Sequence, residues 1–292
     1  MTGENKKSRI RRIWIIAAAV IFALVFFLLI ATDSRMVVRR YTVDAENINE
    51  RVRLVLITDL HSCYYGEGQK DLVAAVEKQA PDAVLLGGDI FDDEIGDTNT
   101  ELFLAGIAGK YPMYYVTGNH EHWSGLWNFT VKMGILEKYG VTVLSGEYVE
   151  LEINGQKINL CGVNDPVAYM TTPGAERSEV NTVFANQLEA VSASAGNGNY
   201  TVLLSHRPER FSEYAEYDFD LVLCGHAHGG QWRIPFILNG LFAPNQDFFP
   251  EYAGGRYKKD GITMIVSRGL ARESTRVPRI FNRPELVIVE LR

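Results

Sequence analysis

Two kinds of apolar pattern run along this chain. Near the amino terminus the uncharged stretch Ile13 to Ala31 is hydrophobic on every face. At about 1.5 Å per residue it makes a helix of roughly 28 Å, close to the roughly 30 Å hydrocarbon core of a bilayer. A cleaved signal peptide and a buried core helix are the competing readings. A signal core is shorter, about 7–15 residues, and ends in small residues, whereas this run closes with Leu29, Ile30 and Ala31. The pattern therefore predicts a basic tail at 1–12, a membrane-spanning helix at 13–31, a stalk at 32–50 and one domain at 51–292. Five basic residues before the span, against Arg35, Arg39 and Arg40 with Asp33 after it, favour an amino terminus inside and a domain outside the cell membrane.

From Arg51 onward, apolar runs of strand length alternate with segments of helical spacing, the rhythm of an α/β domain. The runs are Val52 to Thr58, Ala83 to Leu86, Met113 to Thr117, Thr201 to Ser205 and Leu221 to Cys224, with helices expected at Gln69 to Gln79 and Thr100 to Lys110. Val141 to Val163 reads as short strands with a turn at Asn154-Gly155, and Glu285 to Leu291 as a closing strand. Ser192 to Asn199 is a loop of low complexity, and no internal repeat is present.

Composition narrows the function. With the five basic residues and Glu4 of the first twelve set aside, the formal charge of −7 becomes −11 for the remainder. A nucleic-acid partner would call for the opposite field. Cys63, Cys161 and Cys224 are odd in number and lack CxxC spacing, so neither a disulfide framework nor a structural zinc site is expected.

The residues at the carboxyl end of each apolar run change the picture. The first run gives way to Asp59-Leu60-His61, the second to Gly88-Asp89-Ile90-Phe91-Asp92, the third to Gly118-Asn119-His120-Glu121, the fourth to His206 and the fifth to Gly225-His226-Ala227-His228. Five of the chain's six histidines fall in these five segments, and the sixth, His122, lies one residue beyond the third. In open α/β sheets, ligands bind beyond the carboxyl ends of the strands, so five such ends can converge on one place. Alternate residues of an extended segment share a side, which would let His226 and His228, or Asp59 and His61, reach one site together.

In that order the segments resemble the signature of the calcineurin-like metallophosphoesterases: DxH, GDxxD, GNH[DE], a lone histidine and GHxH. The amino-terminal span, GHAHGGQWRIPF and the closing FNRPELVIVEL resemble a bacterial membrane-anchored branch of that family associated with phosphodiester or lipid-headgroup hydrolysis. The resemblance implies a four-layer α/β/β/α sandwich. It also implies two divalent transition metal ions (Mn, Fe, Zn or Co), one held by Asp59, His61 and His228 and the other by Asn119, His206 and His226, with Asp89 bridging both. Two carboxylates against two dications leave a positive site that attracts a phosphate ester, and a diester monoanion balances it best. A water activated by the ions would be the nucleophile. The resemblance assigns the proton donor for the leaving group to His120, oriented by Asp92.

These residues predict a metal-dependent phosphodiesterase acting on an envelope or lipid-linked phosphoester. The alternatives are a phosphomonoesterase and a silent metal-binding sensor, the latter disfavoured because ligands, bridge and proton donor are all present. His122 reads as a solvent-facing or substrate-side residue, and Cys63 and Cys224 as small apolar filler. Arg207 fits a phosphate contact and a salt bridge equally. The aromatic stretch Trp232 to Pro250 reads either as a lid packed over the core or as an apolar approach for a lipid.

Overall fold

The computed structural model describes residues 3–45, 47–170, 177–272 and 277–292. The chain opens with helix α1 (Gly3–Ala31) and strands β1 (Val37–Val43) and β2 (Val52–Ile57). Helix α2 (Lys70–Glu77), β3 (Ala83–Gly87), α3 (Thr98–Ile107) and β4 (Met113–Val116) come next, then α4 (Asn119–Trp123), α5 (Gly125–Lys138) and β5 (Val141–Val143). The hairpin β6 (Glu147–Ile153) and β7 (Gln156–Gly162) leads to α6 (Val167–Met170), α7 (Arg177–Ser194), β8 (Tyr200–Leu204), α8 (Phe211–Tyr214) and β9 (Leu221–Cys224). A two-residue ladder, β10 (Phe242–Ala243) with β11 (Asp247–Phe248), precedes β12 (Gly255–Lys259), β13 (Ile262–Val266) and β14 (Glu285–Leu291).

The strands form two six-stranded sheets, ordered β1-β14-β2-β3-β4-β5 and β12-β13-β9-β8-β7-β6. Successive side chains point to opposite faces, which is why the runs are apolar throughout. In β2, Leu54 and Leu56 enter the layer between the sheets, whereas Val55 and Ile57 face outward to Leu72 and Val76 of α2 and Phe103 and Leu104 of α3. In β9, Leu221 and Leu223 face inward, and Val222 and Cys224 pack outward with Phe184 and Leu188 of α7. Alternation at period two across two sheets thus builds the predicted α/β/β/α layering.

Strands β2, β3, β4 and β5 run parallel, as do β7, β8, β9 and β13 in the other sheet. Their carboxyl ends come together at one edge of the sandwich, joined by bonds such as Leu270 N–H to Thr58 O (3.1 Å) and His226 N–H to Asp59 Oδ1 (2.9 Å).

Three expectations need correction. Helix α1 begins at Gly3, inside the stretch read as a tail; its segment Ser8–Ala31 is long and apolar enough to cross a membrane and is not buried against the domain. The stretch read as a stalk is largely part of the domain. Residues 37–43 pair with β14 from Val37↔Glu285 to Val43↔Leu291, and Val43, Ala45 and Ile48 are buried between the sheets; Glu46 lies outside the described residues. The sequence hides this strand because it is an edge, with Arg39 and Arg40 exposed at its centre. Finally, Trp232 to Pro250 is packed on the core only in part: Ala243 joins it, whereas Phe236, Ile237, Phe248 and Phe249 all point into solvent.

Burying Val43 and Ile48 between the sheets is worth at least about 3 kcal/mol. A chain beginning at Glu50 should therefore unfold roughly 6–12 °C below one beginning at Thr32, at about 2–4 °C per kcal/mol for a domain of this size. Thermal circular dichroism of the two fragments measures the difference; equal midpoints would show that β1 contributes nothing.

Candidate metal centre

Beyond the ends of β2, β3, β4, β8 and β9, seven side chains are buried at the sandwich edge: Asp59, His61, Asp89, Asn119, His206, His226 and His228. Asp59, His61, Asp89 and His228 offer ligand atoms within 4.8 Å of one another, and so do Asp89, His206 and His226. Asp89 belongs to both groups. Its Oδ2 lies 3.1 Å from His206 Nε2 and 3.8 Å from His61 Nε2, and its Oδ1 accepts the His120 N–H at 2.9 Å.

These donors fit metal ions. Asp59 Oδ2, His61 Nε2, Asn119 Oδ1 and His228 Nδ1 are buried with no hydrogen-bond partner among the described residues, and buried polar atoms are seldom left so unless something else satisfies them. Their neighbours fix the free nitrogens. His61 Nδ1 is 2.9 Å from Asp92 Oδ2 and His206 Nδ1 is 2.9 Å from the Gly87 carbonyl, so each ring donates there and turns its Nε2 inward. His226 Nδ1 faces His206 at 3.2 Å, while its Nε2 lies 2.9 Å from Asn245 Oδ1 and 2.7 Å from Arg207 Nη1. Burial first, then Arg207 for His226 and His61 for His228, hold both imidazoles well below their ordinary range, in the neutral form that coordinates metals. At His206 burial pulls the same way, but Asp89 outweighs it and lifts the imidazole to about 10. The space beside Asp89 thus strongly favours a positive charge.

The backbone is strained to achieve this. Asp59, His61, Asp89, His226 and His228 all have positive φ, between 47° and 65°, a conformation costing roughly 1–3 kcal/mol for a residue other than glycine. His226 and His228 therefore do not share a side by strand alternation. The chain turns sharply after Cys224, setting the His226 ring against His206 (4.9 Å) and His228 against His61 (5.2 Å). Close approach demands glycine at two places: a Cβ at Gly118 would lie 2.2 Å from Asp89 Oδ1, and one at Gly269, where φ is 69°, would meet Asp59 Cβ at 2.5 Å.

The expected pairing of His120 with Asp92 is replaced. Asp92 spends one oxygen on His61 and the other on the N–H groups of Glu94 (2.9 Å) and Ile95 (2.8 Å), leaving its Oδ2 3.8 Å from His120. Asp93, one residue on, reaches His120 Nδ1 at 2.5 Å. His61, Asp92 and His120 also lie within metal-holding reach of one another, but hydrogen bonding already occupies Asp92. Arg207 resolves as a salt bridge, both arms on Asp165. His122 is half-buried, stacked on Phe129 at 4.8 Å beside a cavity of about 650 Å³. Cys63, Cys161 and Cys224 are buried outside every ligand group and form no disulfide.

Several contributors escaped the sequence reading. Glu121 is a fully buried carboxylate that accepts the N–H groups of Asp89 (3.1 Å), Ile90 (2.8 Å), Phe91 (3.1 Å) and Gly118 (2.8 Å), stitching the β3 loop to the β4 loop. The motif around it was visible, but its role was not. Asp165 stands just beyond β7, where the strand-end rule would have found it. Arg279 and Asn282, which hold the His228 carbonyl at 3.4 and 2.7 Å, carry no local signal at all.

Glu121→Ala would leave four backbone N–H groups without their acceptor, each costing about 1–3 kcal/mol unless water enters. A fall of at least about 10 °C in the unfolding midpoint is expected from scanning calorimetry; a change within about 2 °C would mean that Glu121 does not hold the loops.

Comparison with known proteins addresses the same edge of the sandwich. The family model for calcineurin-like phosphoesterase matches residues 52–230. A Helicobacter pylori metallophosphoesterase is 31% identical over 229 residues, 77% of this chain; the chain spans only 55% of that protein's length. Phosphodiesterase YaeI of Escherichia coli is 27% identical, with 82% of each chain covered. Among solved structures, the NAD nucleotidase NadN of Haemophilus influenzae shares the fold, with a TM-score of 0.50 at 18% identity over 76% of this chain and 46% of that one. The matched stretch starts with β2 and stops at the glycine pair after His228, so it contains all seven clustered residues, and the chain belongs to the calcineurin-like phosphoesterase family.

Proposed function

We propose that this member of a family of metal-dependent phosphoester hydrolases is a phosphodiesterase acting on a membrane-borne phosphoester, held in the membrane by α1 with its domain outside. The observation that carries the reading is Asp89, one carboxylate shared by two groups of buried ligand atoms, the first of which contains the unpartnered Asp59 Oδ2, His61 Nε2 and His228 Nδ1. Likeness to YaeI, a protein named a phosphodiesterase, supports the diester. The apolar helix and the basic residues before it support the location.

Asp59, His61 and His228 would hold one divalent cation and Asn119, His206 and His226 a second, with Asp89 between them. Bound there, the cations supply Lewis acidity, polarising phosphoryl oxygens and making water a stronger nucleophile. Asp92 and the Gly87 carbonyl keep the Nδ1–H tautomers of His61 and His206. His120 is the proton donor to the departing alkoxide. Asp93 takes its Nδ1, which leaves Nε2 for the substrate. Hydrogen-bond reach to the leaving oxygen, rather than charge alone, defines this role.

Leaving-group dependence tests His120. His120→Ala should lower kcat about 10²–10⁴-fold on an alkyl phosphodiester, which needs protonation, and far less on a p-nitrophenyl diester, which does not. Equal losses on both would remove the acid role. Faster turnover of aryl monoesters than of diesters would turn the assignment to a phosphomonoesterase.

Metal loading has its own readout. Adding Mn, Fe, Zn or Co to the chelator-treated chain should raise the unfolding midpoint, as about 2.7 kcal/mol of linkage at a hundred times Kd requires, and Asp89→Asn should abolish most of that rise. A metal-independent midpoint would sink the metal centre. A reporter fused after Arg292 that is active only in the cytoplasm would reverse the topology.

A further inference from the structure

We infer that the exposed apolar loops at 232–238 and 242–249 dock on the bilayer from which α1 emerges, so that the metal pocket opens at the lipid surface. This deepens the proposed function and rests on the reading of α1 as a span.

Helix α1 leaves little slack before the domain. The Ala31 carbonyl accepts the Phe281 N–H at 2.7 Å, and the Phe27 and Phe281 rings meet edge to face at 5.3 Å. Asp33 lies 3.3 Å from Arg283, and the Val37 N–H donates to the Pro284 carbonyl at 2.9 Å. The end of the apolar helix is thus clamped by residues 281–284. The neighbouring residue, Ile280, is bonded to the aromatic loop: its N–H donates to Gln231 O (3.1 Å), its carbonyl accepts from Arg233 N–H (2.9 Å), and Trp232 Nε1 donates to Pro278 O (2.9 Å). One short bonded path joins the membrane exit to this loop.

What the loop presents suits lipid. Phe236 is wholly exposed, Ile237 is 82% exposed, and Phe248 and Phe249 are 67% and 69% exposed. Large apolar side chains exposed in this number on neighbouring loops mark an interaction site. Phe236 and Phe249 also adopt positive φ, 67° and 60°, so bulky rings are held outward in a conformation that such residues rarely adopt. The same segment then turns inward, where Phe242 and Pro244 line a pocket of about 380 Å³ with His61, His120 and His228. Aromatic residues outside and the ligand cluster inside are two ends of one passage. The bilayer is the occupant that continuity with α1 selects.

The test uses the full chain in phosphatidylcholine–phosphatidylglycerol vesicles. All three native cysteines are buried, so an environment-sensitive maleimide dye can be placed selectively at F236C, with E152C on β6 as the reference. Doxyl-labelled lipid should quench the dye at 236 about two-fold or more while aqueous iodide does not, and the reverse should hold at 152. Iodide quenching at 236 equal to that at 152 overturns the inference. So does protection from both quenchers, which would assign the face to a protein partner or a second copy. Flotation with the vesicles is read first: a chain that does not float lacks the span, and the reading beneath the inference fails rather than the docking alone. In activity, the F236S/I237S double variant should keep its rate on a soluble aryl diester and lose about ten-fold on a vesicle-borne diester. Equal rates on the vesicle substrate would also overturn the inference, whereas a chain inactive on every phosphoester would remove the proposed function and leave the quenching result standing.

Discussion

Asp89 carries a carboxylate at a place with almost no water, and such a group is costly to bury unless positive charge or donors compensate it. Compensation comes from both halves of the sandwich. His61, from the loop after β2, and His206, from the loop after β8, approach the same oxygen, while the His120 N–H satisfies the other. Neither sheet supplies this alone. The parallel strands of both must end at one edge, and the inter-sheet layer of Leu54, Leu56, Leu221 and Leu223 keeps those edges in register. The hydrophobic core therefore acts on the chemistry by fixing where one carboxylate sits.

Convergence of that kind stores strain. Five of the clustered residues hold positive φ, and glycines stand where a Cβ would strike Asp59 or Asp89. Buried bonds hold the loops in place: Glu121 gathers four N–H groups, and Asn282 grips the carbonyl of His228. A rigid cage with unpartnered ligand atoms is preorganised for cations, because the reorganisation was completed when the sheets packed.

Much of this was legible in the sequence because it depends on period and position. Continuous apolar runs read as strands buried on both faces, and the residues after each run read as a site, since strand ends are where open sheets gather ligands. Six of the expected ligands lie in two groups that share Asp89, and Asn119 is buried beside them in the loop after β4. The features that escaped reading depend on distances between segments or on a choice between neighbours. Asp92 and Asp93 are equivalent on paper; only the turn closed by Asp92 Oδ1 onto Glu94 and Ile95 decides which acid meets His120. β1 escaped because an edge strand with two central arginines has no alternating signature, and its partner lies at the other end of the chain. Arg279 and Asn282 act through side-chain contacts with a backbone fifty residues away, which no local pattern records.

If α1 is a membrane anchor, as proposed, charge gives its link to the site a physical purpose. Past its basic head the chain is strongly acidic, so its long-range field repels phosphate esters. Attraction from a cation-loaded pocket is screened within about 8 Å at physiological ionic strength. A freely diffusing ester must cross the first field to feel the second. An ester confined to a bilayer would instead be carried along the surface, and would enter that range if the pocket is held against the lipid as proposed. The path Ala31–Phe281–Asn282–His228 spans only three contacts, with Phe281 and Asn282 adjacent in the chain, so the end of the apolar helix is tied closely to the loop that carries His228. Tethering alone would raise the number of encounters; the proposed seating would also fix their orientation, which is what a two-dimensional substrate would require.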